Sequence, residues 1–133
     1  MDPISLHLRL LPGHYAVARP DTWPDWLPAA GFVSVTRTAG EISVVCEESL
    51  VPEGVLKESG FRAWEFQGPF PFGLTGILHS VLHPLAQARI GIFAMSTYDT
   101  DYVLVKAEDL EKSIAILREY GHVLEGAPPP GSS

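Results

Sequence analysis

Three groups of residues in this chain have types and spacings that could do chemistry. The first is Gly68-Pro69-Phe70-Pro71-Phe72-Gly73, which precedes an apolar helical pattern starting at Leu74. Free N–H groups at such a helix start, aided by the helix dipole, can hold a carboxylate or a phosphate. Glycines at 68 and 73 would let a backbone come close. An ordinary strand-to-helix connector would look the same, and without phosphate-loop spacing that reading wins on the residues alone. The second group is Asp99 and Asp101, preceded by the hydroxyls of Ser96 and Thr97. Two carboxylates near strand ends could hold an ammonium or guanidinium group, although Asp also favours turns by bonding its own backbone. The third is His79 and His83, an i, i+4 pair with metal-ligand spacing. Both project away from the apolar stripe of their helix and no third ligand can be named, so neither a metal nor a cofactor is expected. Cys46 ends an apolar strand and reads as a small buried hydrophobe, and the proline-flanked Trp23 and Trp26 read as caps on a core. No nucleophile–base pair and no glycine-rich nucleotide signature is visible, so the chain is not read as an enzyme.

The composition sets bounds on what these groups could serve. At 133 residues, 46% hydrophobic and 19% charged, the chain can build a core as one domain or two small units. A net charge of −7 with no Lys/Arg cluster excludes nucleic acid as an expected partner. A lone cysteine cannot form an internal disulfide, which suits a reducing compartment. The start of the chain alternates Ile4, Leu6, Leu8 and Leu10 with polar residues, a strand pattern and not a targeting segment. No apolar run approaches a membrane span. The expectation is a soluble cytoplasmic protein without membrane or nucleic-acid partners.

The elements that would position the candidate residues follow from periodicity and turn residues. Strands are expected at Ile4–Leu10, Tyr15–Ala18, Phe32–Thr36, Glu41–Cys46 and Phe61–Phe66. Prolines 20, 24 and 28 leave at most one helical turn around Trp23–Leu27, and Pro52 with Gly54 keeps any helix over 47–59 short. Leu74, Ile77, Leu78, Val81, Leu82 and Leu85 form an apolar helical stripe, with Pro84 predicting a kink or stop near His83. Two β-prone runs within residues 90–106 flank the polar stretch Tyr98–Asp101 and read as a hairpin. Leu110, Ile114 and Leu117 mark a second helix, with Gly121 at its C′ position and a last short strand over His122–Glu125. Residues 127–133 read as a flexible tail.

Shifting Phe32–Glu48 by sixty positions lays it on Ile92–Glu108, with Glu41 meeting Asp101. The expectation is therefore α+β: two tandem ferredoxin-like βαββαβ units, antiparallel sheets with helices on one face. The first, degenerate unit would take residues 1–60 and the second, complete unit residues 61–126.

The run Leu85–Val105 resembles the "L-A-x-A-x-I-x-I-F-x-x-S-T-Y-x-T-D-x-x-L-V" signature of the ACT domain subgroup that includes the CASTOR arginine sensors and short bacterial ACT proteins. Phe32-Val33-Ser34-Val35-Thr36-Arg37-Thr38 is similar to the "F-x-S-V-T-R-T" segment of those bacterial proteins. Pro84 departs from the pattern. The resemblance implies a non-catalytic regulatory protein that senses an amino-acid-like small molecule at an ACT–ACT interface, as a homodimer. The implied ligand-binding residues are Gly68, Phe72, Gly73 and Leu74 of the loop, Ile92, Phe93 and Ala94 along the strand, and Ser96, Thr97 and Asp101 near the bend. Thr36 and Arg37 would offer the equivalent surface in the first unit. The alternative is a ligand-free protein–protein interaction module.

Overall fold

A computed structural model describes residues 5–68 and 76–127. In chain order they form β1 (His7–Leu10), β2 (Tyr15–Arg19), β3 (Ser34–Arg37), β4 (Ile42–Glu47), β5 (Leu56–Phe66), α1 (His79–Gln87), β6 (Ile92–Ser96), β7 (Asp101–Lys106), α2 (Leu110–Glu119) and β8 (Val123–Glu125). They group into two compact units: Gly13–Phe61, and the described residues before Gly13 with those from Arg62 onward.

The Gly13–Phe61 unit orders its strands β3-β4-β2-β5, all antiparallel. Ala16, Ala18, Val44, Cys46 and Val51 form its buried cluster. The prolines act as expected: no helix forms between β2 and β3, only a turn at Asp25 and Trp26. After β4 a single 3-10 turn, Glu48–Leu50, stops before Pro52. β5 starts at Leu56, five residues ahead of the expected Phe61. Gly60 does not end the strand. Ser59 and Gly60 stand opposite Ala16 as a β-bulge, with Gly60 at φ +84°, a conformation that favours glycine. The Gly60 N–H donates to Glu48 Oε2 at 2.8 Å.

The other unit has the order β6-β7-β5-β1-β8. The strand expected to open a 1–60 unit lies here. β1 runs antiparallel to β5, with Leu8 opposite Phe66, and parallel to β8, with Leu8 opposite Leu124. The sheet is therefore five-stranded and mixed, where a four-stranded antiparallel sheet was expected. Leu8, Trp64, Phe66, Val103 and Val105 share one cluster with Val81 and Leu85 of α1 and Ile114 and Leu117 of α2. Both helices thus pack on one face, and each fully buried Leu contributes about 1.5–3 kcal/mol to holding them there.

Pro84 does not stop α1, which runs on to Gln87 with Pro84 buried inside it. Proline at 84 deprives the Ser80 carbonyl of its helical donor. A side chain from elsewhere replaces it: His122 Nε2 lies 2.9 Å from Ser80 O. His122 Nδ1 accepts the Leu6 N–H at 3.1 Å, so Nε2 carries the ring proton and donates. This buried imidazole ties α1 to the segment leading into β1. α2 ends as expected, with Gly121 at φ +90° and its N–H donating to Arg118 O.

The two hairpins correspond in register. Ser34 opposite Val45 matches Phe93 opposite Leu104, and Arg37 opposite Ile42 matches Ser96 opposite Asp101, an offset of 59. The offset of sixty expected from the sequence is one too many. The 3-10 turns after each hairpin, Glu48–Leu50 and Ala107–Asp109, keep the offset of 59. Since side chains alternate along a strand, that one-residue slip would have reversed every face assignment. Asp101 corresponds to Ile42, and Glu41 to Thr100.

Candidate ligand-binding site

The end of β5 and the tip of the β6–β7 hairpin meet closely. A Cβ built on Gly68 would lie 2.9 Å from Asp99 O and 3.1 Å from Thr100 Cβ, so glycine is required there by the hairpin's own backbone. Thr100 Oγ1 donates to Phe66 O at 2.7 Å, which fixes the tip against the strand. Within the tip, Thr97 N donates to Thr100 O at 2.8 Å. Thr97 Oγ1 accepts the Thr100 N–H at 3.3 Å, so this hydroxyl is committed to the turn. Across the last strand pair, Ser96 Oγ donates to Asp101 Oδ1. Asp101 is half-buried and starts β7, one position beyond the bend, while Asp99 is exposed in the turn itself.

The structure thus brings Gly68, Ser96, Thr97 and Asp101 to one end of the sheet. Phe72, Gly73 and Leu74 lie outside the described residues. Ile92, Phe93 and Ala94 do not share a face as expected. Strand alternation puts Ile92, Ala94 and Ser96 on one side, where Ala94 packs against the helix-side core and Ile92 stays exposed, and turns Phe93 to the other side. Thr36 and Arg37 belong to the other unit, at the exposed end of β3. Thr100 went unnoticed in the sequence because a threonine in a turn carries no signal of a distant acceptor.

On the face away from the helices, Tyr102 O–H donates to Glu65 Oε2 at 2.8 Å and Arg9 pairs with Glu65 Oε1 at 2.9 Å. Burial, then the hydrogen bond and charge of Glu65, push the Tyr102 phenol up to about 12, against a smaller opposite pull from Arg9. Burial first, and Glu47 second, raise the Cys46 thiol, partly offset by Lys57, which leaves little thiolate to react. His79 and His83 are exposed with their rings stacked 5.1 Å apart. No group of three or more potential metal ligands occurs among the described residues. Among them, too, no helix is long and apolar enough to cross a membrane.

The chain is similar to known proteins. Residues 57–119 match the family model described as the ACT domain, and residues 13–54 match a second model, for an N-terminal domain. The crystal structure of protein Atu0741 from Agrobacterium tumefaciens is similar at a TM-score of 0.87 and 40% identity, over 98% of this chain and 99% of that one. The human protein CASTOR3P is 47% identical over 92 residues, 59% of this chain and 56% of its own length. Subunit 1 of the cytosolic arginine sensor for mTORC1 from Bos taurus is 43% identical over 49 residues, 36% of this chain and 15% of its own. The chain spans about half the length of the first of these two proteins and a small part of the second.

Proposed function

Because the chain belongs to the same family as Atu0741 and carries an ACT domain over residues 57–119, we propose that it is a non-catalytic regulatory protein that binds an amino acid or a similar metabolite. Its homology to the arginine sensors supports this class of ligand. The ligand would sit at the Gly68 end of the sheet. Loop N–H groups would take its carboxylate, and Asp101, oriented by Ser96, would take a cationic group. The observation that carries the reading is the packing of Gly68 on the hairpin tip, which sets the end of β5 beside the turn that Asp101 follows. A second copy of the chain would complete the crevice. Ligand bridging the two copies would then favour the associated arrangement over the separated one, which is how a downstream partner would read it. In the same proposal Gly13–Phe61 is a reduced copy of the unit, supported by the shared hairpin register.

Calorimetry against the twenty L-amino acids tests this. Asp101→Ala should abolish binding of a cationic amino acid, yet change stability by no more than about 0.5 kcal/mol, since Ser96 beside it is exposed. Unchanged binding by the variant refutes the site. A second reading, a ligand-free module that pairs sheet edges, draws on β6, which pairs only with β7 among the described residues and leaves Ile92 exposed. Stabilisation by none of the twenty amino acids would select it.

A further inference from the structure

The Gly13–Phe61 unit contains a cleft of about 550 Å³. Three segments far apart in sequence line it: Arg19-Pro20-Asp21 at the end of β2, Arg37–Ile42 around the β3–β4 turn, and Gly54–Leu56 at the start of β5. Its volume suits a small ligand. Its charges are unusual for a chain of net charge −7: two of the six arginines line it, Arg19 and Arg37, together with Asp21 and Glu41. These four form no ion pair with one another among the described residues.

Both guanidinium groups are positioned by neutral partners instead. Arg19 Nη2 donates to Gly40 O at 3.2 Å, and the Arg37 guanidinium lies 5.8 Å from the Trp23 ring centroid. Each keeps donors to spare, since a guanidinium carries five N–H groups. The turn is braced from within, with Thr38 Oγ1 accepting the Gly40 and Glu41 N–H groups at 3.2 and 3.1 Å. Leu56, 69% exposed, supplies apolar surface at the rim.

We infer that this cleft binds a zwitterion of the α-amino-acid type, its carboxylate on Arg37 and Arg19 and its ammonium on Asp21 and Glu41. All four side chains are exposed, so each contact is weak and a Kd of about 1 mM is expected. The inference does not require the Gly68 end to bind anything.

The test follows the backbone amide NMR signals of Gly40, Glu41 and Leu56 in the full chain while each of the twenty L-amino acids is added. Butyrate and n-butylamine serve as single-charge controls. At least one amino acid should shift these signals saturably, and neither control should. Arg37→Gln and Glu41→Gln should each weaken binding about two- to fivefold with the remaining spectrum unchanged, whereas Asp101→Ala should leave it intact. If no amino acid shifts these amides, if butyrate does so equally well, or if both cleft variants bind like the parent chain, the inference is wrong. Because Asp101→Ala removes only the Gly68-end site, failure of one site is read apart from failure of the other.

Discussion

The ends of the two hairpins differ although their strand registers agree. At the β6–β7 tip, the strand leaving toward α1 passes as glycine, and Gly68 closes on the backbone of Asp99 and Thr100. At the β3–β4 tip, the strand leaving β2 carries Arg19, Pro20 and Asp21, and only a long guanidinium reaches Gly40. The first end is shut by direct packing, and the second is propped open into a cleft. The segments after the hairpins differ as well. Following equivalent 3-10 turns, Leu110-Glu111-Lys112-Ser113 continues as a helix, whereas Val51-Pro52-Glu53-Gly54 cannot. One strand framework supports two surfaces, and a few residues beyond the strand ends decide which.

The largest expected effect tests what the helical unit needs and the strand unit does not. His122→Ala leaves the buried Leu6 N–H and the Ser80 carbonyl without partners, for a loss of about 3 kcal/mol. Native-state hydrogen exchange should show the loss in β1 and α1, with the amides of β2 and β4 spared. Equal loss in both units would end the contrast between them. Pro84→Ala restores a helical donor for Ser80 O, so in that background His122→Ala should cost less. Next in size comes a glycine pair. Gly68→Ala meets backbone at 2.9 Å and should destabilise by about 1–3 kcal/mol, while Gly40→Ala, whose nearest neighbour is 3.9 Å away, should stay within about 0.5 kcal/mol in chemical denaturation. Similar values for the two would mean that the tips are closed alike.

Much of this contrast could be read in the sequence where the physics is local. β-prone apolar runs marked β6 and β7, the apolar stripe marked α2, and Gly121 marked its end. Misreadings arose where a local breaker is rescued from a distance. Phe61 looked like the start of its strand, but the bulge at Gly60, held by Glu48, carries β5 back to Leu56, and Pro84 looked like a helix kink or stop until His122 supplied the missing donor. The likeness of the two hairpins was visible but slipped by one residue, because Glu41 and Asp101 are alike in charge and low identity left nothing to oppose that match. Of the Gly68 end, the glycine and the acidic residue stood out in the sequence, while the Ser96–Asp101 hydrogen bond and the anchoring role of Thr100 depend on register. The cleft joins segments from three stretches of chain, and Arg19 and Asp21 carry no mark of belonging with Arg37.

The smallest expected effect concerns the sheet face at equivalent positions of β4 and β7. Tyr102, opposite Met95, corresponds to Ser43, opposite Thr36. Ser43 lines a shallow groove with Arg19, Glu41 and Lys57, whereas Tyr102 fills its place and donates to Glu65. The folded chain holds the Tyr102 proton to about 12, against an ordinary value of 10.0 when unfolded. A folded value above the unfolded one means that this stabilisation is complete below pH 10 and is lost as pH rises to about 12. The side chain is only half-buried, so solvent screening keeps the loss small. Glu65→Gln removes the carboxylate but leaves burial and Arg9, and the midpoint of the Tyr102 ring signals in NMR titration should fall toward 10.0. A midpoint that stays near 12 would assign the shift to burial alone. The two faces would then differ by the volume of one side chain and owe nothing to the charge it bonds.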